Sequence, residues 1–221
     1  SNQQPQITSM PITTANEDEL YQYEVEAIDA DNDNLSYYLA AAPEGMVIDS
    51  AAGLLTWTPR QSDIGTHNVV VAVSDNKTAT FQSFMLTVHN VNDFPVFTST
   101  PITTTLEDIT YIYQVQATDE DGDNLSYLLT KAPAGMTINE STAVIWVPLN
   151  KDVGSHLVEI TVSDAANEIV RQEFNLSVEN VNDPPLITSI PVTEATQDVP
   201  YSYLVEAADE DNDALTYTLL E

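Results

Sequence analysis

Three features of the sequence predict an all-β chain of tandem seven-stranded Greek-key β-sandwiches. Apolar and polar residues alternate in short runs, an internal period of 90 residues is present, and no apolar pattern has helical spacing. The period can be read directly. "ITSMP" at 7–11 returns as "FTSTP" at 97–101 and "ITSIP" at 187–191, and "APEGMVI" at 42–48 returns as "APAGMTI" at 132–138. Likewise "NVNDFP" at 90–95 returns as "NVNDPP" at 180–185. Two copies are complete and the third stops early, which gives expected domains at 1–95, 96–185 and an incomplete 186–221.

In the second copy the strands, lettered A to G, fall at roughly 97–105, 110–118, 125–130, 136–139, 143–147, 157–163 and 169–178. Strand B is clearest in the first copy, where "YQYEVEA" sets Tyr21, Tyr23, Val25 and Ala27 against polar neighbours, the period-two signature of one buried face. Its tyrosines return as Tyr111 and Tyr113, then as Tyr201 and Tyr203. Strand E ends at Trp57, which aligns with Trp146 after a one-residue deletion; both read as core tryptophans between sheets. Strand F, "HNVVVAVS", and strand G, with "FMLTV", are β-branched or aromatic runs bounded by Asp and Asn turns. His67 and His156 recur at the start of F and read as structural hydrogen-bonding groups. Tyr37, Tyr38 and Tyr127 are the expected exposed aromatics. Seven short strands in about 90 residues indicate immunoglobulin-like architecture.

Composition narrows the function. Against 35 Asp and Glu stand five basic residues, Arg60, Lys77, Lys131, Lys151 and Arg171, for a net charge of −30. Nucleic acid and anionic membrane surfaces are excluded as partners, since little here would neutralise phosphates. A hydrophobic content of 43% rules out disorder. There is no cysteine, hence no disulfide framework or thiolate metal site, and no apolar run of the ~18 residues that would insert this segment in a bilayer. No secretory leader is visible, and "SNQQPQ" and "TLLE" read as the edges of an excised fragment.

The acids are clustered. "DADNDNLSY" at 29–37, "DEDGDNLSY" at 119–127 and "DEDNDALTY" at 209–217 each place three aspartates at alternate positions within five residues, one cluster per period. Strand parity supplies a reason. Successive loops alternate ends, so the B–C turn and Asp164 after strand F point back towards the preceding linker. Glu17 in the A–B turn and Asp63 in the E–F loop point forward to the same linker, which carries Asn90, Asn92 and Asp93. About nine oxygen-bearing side chains are thus expected at one junction, and a calcium ion takes roughly 6–8 oxygens. Zinc and copper lack His and Cys ligands there. An EF-hand is excluded, because Asn124 and Thr130 stand where its loop needs Gly and Glu. Asp33, Asp123 and Asp213 read either as further ligands or as turn residues.

These residues resemble a known family. "VQATDEDGDNLSY" is similar to the V-x-A-x-D-x-D motif of cadherin repeats and "NVNDFPVF" to their linker motif. "APxGMxI", "WTP" and "VNDxP" together resemble bacterial cadherin-like repeats of dystroglycan type. The resemblance implies calcium at each inter-repeat junction. At the first it falls on Glu17, Asn90, Asn92, Asp93, Asp119, Asp121 and Asp164, with the Asn124 carbonyl beside them. At the second it falls on Glu107, Asn180, Asn182, Asp183, Asp209 and Asp211. At the N-terminal face it falls on Asp29, Asp31 and Asp75. Three departures weaken the pattern. Only Asp63 or Asp152 stands where an acidic pair precedes strand F, the linkers begin with Asn90 or Asn180 instead of Asp, and Gln197 replaces the A–B glutamate in the third copy.

The expected function is a calcium-stiffened repeat spacer of a bacterial surface or secreted adhesin, extracellular and without enzymatic activity. The partners would be neighbouring repeats of the same chain. The alternative is a module for polysaccharide or for homophilic contact with another cell-surface copy. The third copy, with strands A to C only, is expected either to be unstable alone or to be completed by strands of another molecule.

Overall fold

Alternation along the chain becomes two sheets around one core in each copy. The computed structural model describes residues 1–220, which fall into two compact units, Ser1–Asp93 and a second beginning at Phe94. In the first unit the strands are β1 (Gln6–Ile7), β2 (Thr14–Asn16), β3 (Tyr21–Glu24), β4 (Ala27–Ile28), β5 (Ser36–Ala41), β6 (Val47–Ile48), β7 (Leu54–Trp57), β8 (Gly65–Ser74) and β9 (Ala79–His89). One sheet has the order β2-β9-β8-β5; the other is β3-β7-β6, with the pair β1-β4 continuing from the same B segment. The fold is an all-β sandwich, as the sequence predicts.

Strand A is not the single strand expected. β1 pairs antiparallel with β4, whereas β2 pairs parallel with β9 in the opposite sheet. Pro11 lies between them and can donate no ladder hydrogen bond, so the chain leaves one sheet there and joins the other. The inward positions of the two sheets then meet: Tyr21, Tyr23, Val25, Leu55 and Trp57 pack against Val69, Val71, Val73, Phe84, Leu86 and Val88. Each fully buried aliphatic side chain of this kind contributes about 1.5–3 kcal/mol.

The second unit repeats the arrangement. It contains β10 (Val96–Phe97), β11 (Thr104–Leu106), β12 (Tyr111–Gln114), β13 (Ala117–Thr118), β14 (Ser126–Lys131), β15 (Thr137–Ile138), β16 (Ala143–Trp146), β17 (Gly154–Ser163) and β18 (Ile169–Glu179). The sheets are β11-β18-β17-β14 and β12-β16-β15, with β10-β13 as before. In the third copy β19 (Leu186–Ile187) pairs with β20 (Ala207–Ala208). Apolar residues there remain open, with Leu204 77% and Leu219 97% exposed. Among the described residues no helix is long and apolar enough to cross a membrane.

Polar groups on the aromatic side chains are satisfied as the core reading requires. Trp57 and Trp146 donate to the carbonyls of Glu44 and Ala134, at 3.1 and 3.2 Å. His67 and His156 stand edge-on to these indoles, with centroids 5.3 and 5.2 Å apart, and donate from Nε2 to the Asp63 and Asp152 carbonyls. Tyr21 donates to the Ile12 carbonyl at 2.7 Å, and burial, reinforced by Tyr23, pushes its phenol up to about 12. Tyr37 and Tyr127 pack against the cores instead of facing solvent, because their positions in β5 and β14 share the inward parity of Leu39 and Leu129. Tyr38, one residue on, points out and is 42% exposed.

One turn depends on glycine. Gly53 has φ +73°, and a Cβ there would lie 2.6 Å from the Val25 carbonyl oxygen, whose residue already donates its amide to the Gly53 carbonyl. Both backbone conformation and space oppose a side chain. Gly53→Ala is expected to destabilise the first unit by about 2 kcal/mol or more, read as a lower urea midpoint with unchanged m-value.

Candidate metal centre

The acidic sites begin with how their turns are held. Glu17 follows β2, where its amide donates to the His89 carbonyl and the Asp18 amide to the Pro59 carbonyl. Asp18 takes the left-handed φ of 56° that closes the turn. The side chain is thereby directed inward: Glu17 is fully buried and accepts the Val91 amide at Oε1, 2.8 Å. The second unit does the same at Glu107, whose amide meets Glu179 and whose Oε1 accepts the Val181 amide at 2.6 Å. The A–B glutamate therefore clips the start of the linker that follows its own copy.

The tri-Asp stretches are turns capped by their own first aspartate. Asp29 Oδ1 accepts the amides of Asp31 (2.8 Å) and Asp33 (3.2 Å), and Asp209 Oδ1 those of Asp211 and Asp213, both at 3.1 Å. Asp119 Oδ1 accepts the Asp123 amide at 3.2 Å. The fourth residue of each turn, Asn32, Gly122 or Asn212, takes the left-handed φ that Asn and Gly tolerate best. One oxygen of the first aspartate is thus committed to the turn. The other, Oδ2 of Asp29 and of Asp119, is buried with no hydrogen-bond partner among the described residues.

In the second unit three expected ligands converge. Glu107, Asp183 and Asp211 each offer a carboxylate oxygen, and these oxygens lie within 4.8 Å of one another. Asp211 is oriented by the Asp183 amide on Oδ2 (2.5 Å) and by Asn150 Nδ2 on Oδ1 (3.1 Å). Glu107 is 0% exposed, and its Oε2 has no hydrogen-bond partner among the described residues. Like charges at that spacing repel by roughly 3 kcal/mol per pair at an effective dielectric of about 20. Among the described residues no Lys or Arg ion pair relieves them: Lys77 pairs with Asp33, and Lys131 and Arg171 with Glu159 and Glu173. Oxygen donors alone, one of them a buried orphan, suit a hard divalent cation.

The remaining expected residues divide clearly. Asp209 shapes the turn that presents Asp211. Asn180 and Asn182 are exposed, and Asn182 Nδ2 donates to the Asp183 carbonyl at 3.2 Å. Of the first-junction set, Glu17, Asn90, Asn92 and Asp93 belong to the first unit, with Asn90 and Asn92 exposed and Asp93 half-buried. Asp119, Asp121 and Asp164 belong to the second, where Asp164 is buried and accepts the Glu168 amide at 2.8 Å. At the N-terminal face Asp29, Asp31 and Asp33 bring oxygens within 4.8 Å, and buried Asp75 is already met by four donors. Asp63 and Asp152 cap the turns before strand F by accepting the Arg60 and Leu149 amides. Asn150 is the residue that sequence reasoning missed. The signal was the E–F position itself, which the linker faces.

Residues 4–89 and 94–179 each match the family described as "Putative Ig domain" (He_PIG). No curated protein matches the chain. Among solved structures, human CDH23 EC21-23 is similar at 21% identity and TM-score 0.52, over 94% of this chain and 80% of that one. Mouse Cadherin-23 EC22-24 is similar at 21% identity and TM-score 0.50, over 95% and 78%. At such identity these likenesses speak to the fold. An endo-fucoidan hydrolase, MfFcnA4 from glycoside hydrolase family 107, has 22% identity and TM-score 0.40 over 80% of this chain. The chain spans only 29% of that hydrolase, and so loose a likeness carries no argument about activity.

The glutamate clip has a direct readout. Glu107→Ala removes the acceptor of the Val181 amide, and hydrogen bonds to charged groups are worth about 1.5–3 kcal/mol. Amide exchange at Val181 is expected to accelerate roughly tenfold or more, while amides in β17 keep their protection.

Proposed function

Because the chain belongs to the Putative Ig domain family, with two tandem copies of that domain, we propose that it is an extracellular adhesion-type segment, a repeat spacer of a bacterial surface protein that calcium stiffens. The observation that carries this reading is the orphaned, fully buried oxygen of Glu107 facing Asp183 and Asp211. Bound calcium would supply the positive charge this cluster lacks. Each of the three carboxylates comes from a different part of the chain: the A–B turn of the second copy, the linker, and the B–C turn of the third. Asn150, from the E–F loop, and Asp209 hold Asp211 in place. Shared negative charge therefore loosens the linker when unneutralised and ties three segments together when neutralised.

By the 90-residue equivalence Glu17, Asp93 and Asp121 stand at the same positions as Glu107, Asp183 and Asp211. We extend the proposal to that set, with Asn90, Asn92, Asp119 and Asp164. The role is mechanical and non-enzymatic, since the acids sit at the ends of a repeated module and not in one cleft.

A second reading, carbohydrate binding, is favoured by one surface. Tyr38 and Phe81 flank Ala72 across β5, β8 and β9 on the outer face, 42% and 58% exposed, and aromatic faces suit sugar rings. Retention on insoluble glycans that Tyr38→Ala abolishes would support it; equal retention of both proteins would oppose it.

Calcium affinity is expected near the 10⁻⁴–10⁻³ M of extracellular modules, about 1.4 kcal/mol of added stability at tenfold excess over Kd. Glu107→Gln should weaken uptake at its site roughly tenfold by calorimetry. Small-angle scattering should show a narrower range of dimensions with calcium than in EDTA. Identical profiles for verified metal-free and calcium-loaded protein would overturn the spacer role.

A further inference from the structure

The acidic face at the start of the first unit differs from its later copies by carrying its own positive charge. Lys77 Nζ lies 2.6 Å from Asp33 Oδ2 and 2.9 Å from Asn2 Oδ1. Asp33 is one of the three carboxylates whose oxygens gather within 4.8 Å, and Asn2 aligns with the linker residues Asn92 and Asn182. We propose that Lys77 is the resident cation of this face, its tethered ammonium standing where the later acidic sets take a divalent ion, so that this face binds one calcium ion fewer. The inference rests on the calcium reading above.

Sequence and geometry agree on it. Gln3 stands where Asp93 and Asp183 stand in the later copies, removing one negative charge. The F–G loop that places Lys77 has as its counterpart residues 164–168, Asp-Ala-Ala-Asn-Glu, with no basic residue. The lysine is fixed at its backbone, whose amide donates to Asp75 Oδ1 at 2.7 Å after Asn76 at φ 69°. Its side chain crosses to Asp33 while the Gln3 amide meets Asp31 Oδ2 at 2.6 Å. Asp75 is saturated too. The Thr78 amide foremost, then Asn2 Nδ2, hold its carboxyl well below the usual carboxylate range.

Lys77 is more than half exposed, so as an exposed ion pair it adds little stability. Its effect falls on competing cations. A divalent ion placed among the same carboxylates meets a fixed positive charge a few ångströms away. Take that charge away, and the buried Asp29 Oδ2, which has no hydrogen-bond partner among the described residues, becomes available beside Asp31 and Asp33.

Equilibrium dialysis against millimolar calcium, on the whole chain, tests this. Lys77→Gln is expected to bind one calcium ion more per chain than the parent, and Lys77→Arg, which keeps the charge, the parent number. Equal numbers for the parent and Lys77→Gln, whatever that number is, overturn the proposal, as does a gain in Lys77→Arg. A parent that binds none while Lys77→Gln binds one would instead sink the calcium reading of the two linkers and leave the role of Lys77 standing.

Discussion

The buried glutamate of the A–B turn holds the start of the linker that leaves its own copy. Burying a carboxylate is costly unless hydrogen bonds or a counter-charge offset it. Glu107 recovers part of that cost through the Val181 amide, which fixes where the chain leaves the sandwich, while its second oxygen is buried with no hydrogen-bond partner among the described residues. The linker aspartate, the B–C aspartate and Asn150 are positioned by backbone and amide contacts, so their charge is concentrated and not dispersed. A glutamine at the same place, as Gln197 in the third copy, would keep the shape and lose the charge.

Charge placement separates the two units as much as their cores unite them. Lys131 and Arg171 neutralise Glu159 and Glu173 on the outer sheet of the second unit, where β14, β17 and β18 run side by side. Lys77 is spent on the N-terminal face. With so few cations, each of these three marks a place where the chain meets its acids internally. Glu107, Asp183 and Asp211 have no Lys or Arg ion pair among the described residues, and their carboxylate oxygens lie within 4.8 Å of one another.

Much of the architecture was legible because sheet parity is written one residue at a time. Val69, Val71 and Val73 face inward simply because they alternate, and the recurrence of Tyr21, Trp57 and Phe84 a period later identifies them as core. The switch of strand A between sheets was not legible from alternation, which runs on either side of Pro11 without saying which partner each half finds. The same applies to Tyr37, where two adjacent tyrosines hide which one faces in. Among the acids, the resemblance to cadherin repeats pointed to Glu107, Asp183 and Asp211. It could not show that Asp29, Asp119 and Asp209 spend an oxygen on their own turns, or that an ammonium reaches Asp33. Those facts depend on individual atoms, and only the folded backbone sets them.

The parallel pairing of β2 with β9 bears on how each sandwich carries load. Thr14, Ala15 and Asn16 lie in register with Thr87, Val88 and His89, near the start and the end of the first unit. Tension drawn through the chain pulls these two segments in opposite directions along their shared axis, so their hydrogen bonds are sheared together and not peeled apart singly. β11 and β18 repeat the arrangement in the second unit. Within each fold, segments near the start and the end are thus tied side by side, and extension must break that pairing as a block.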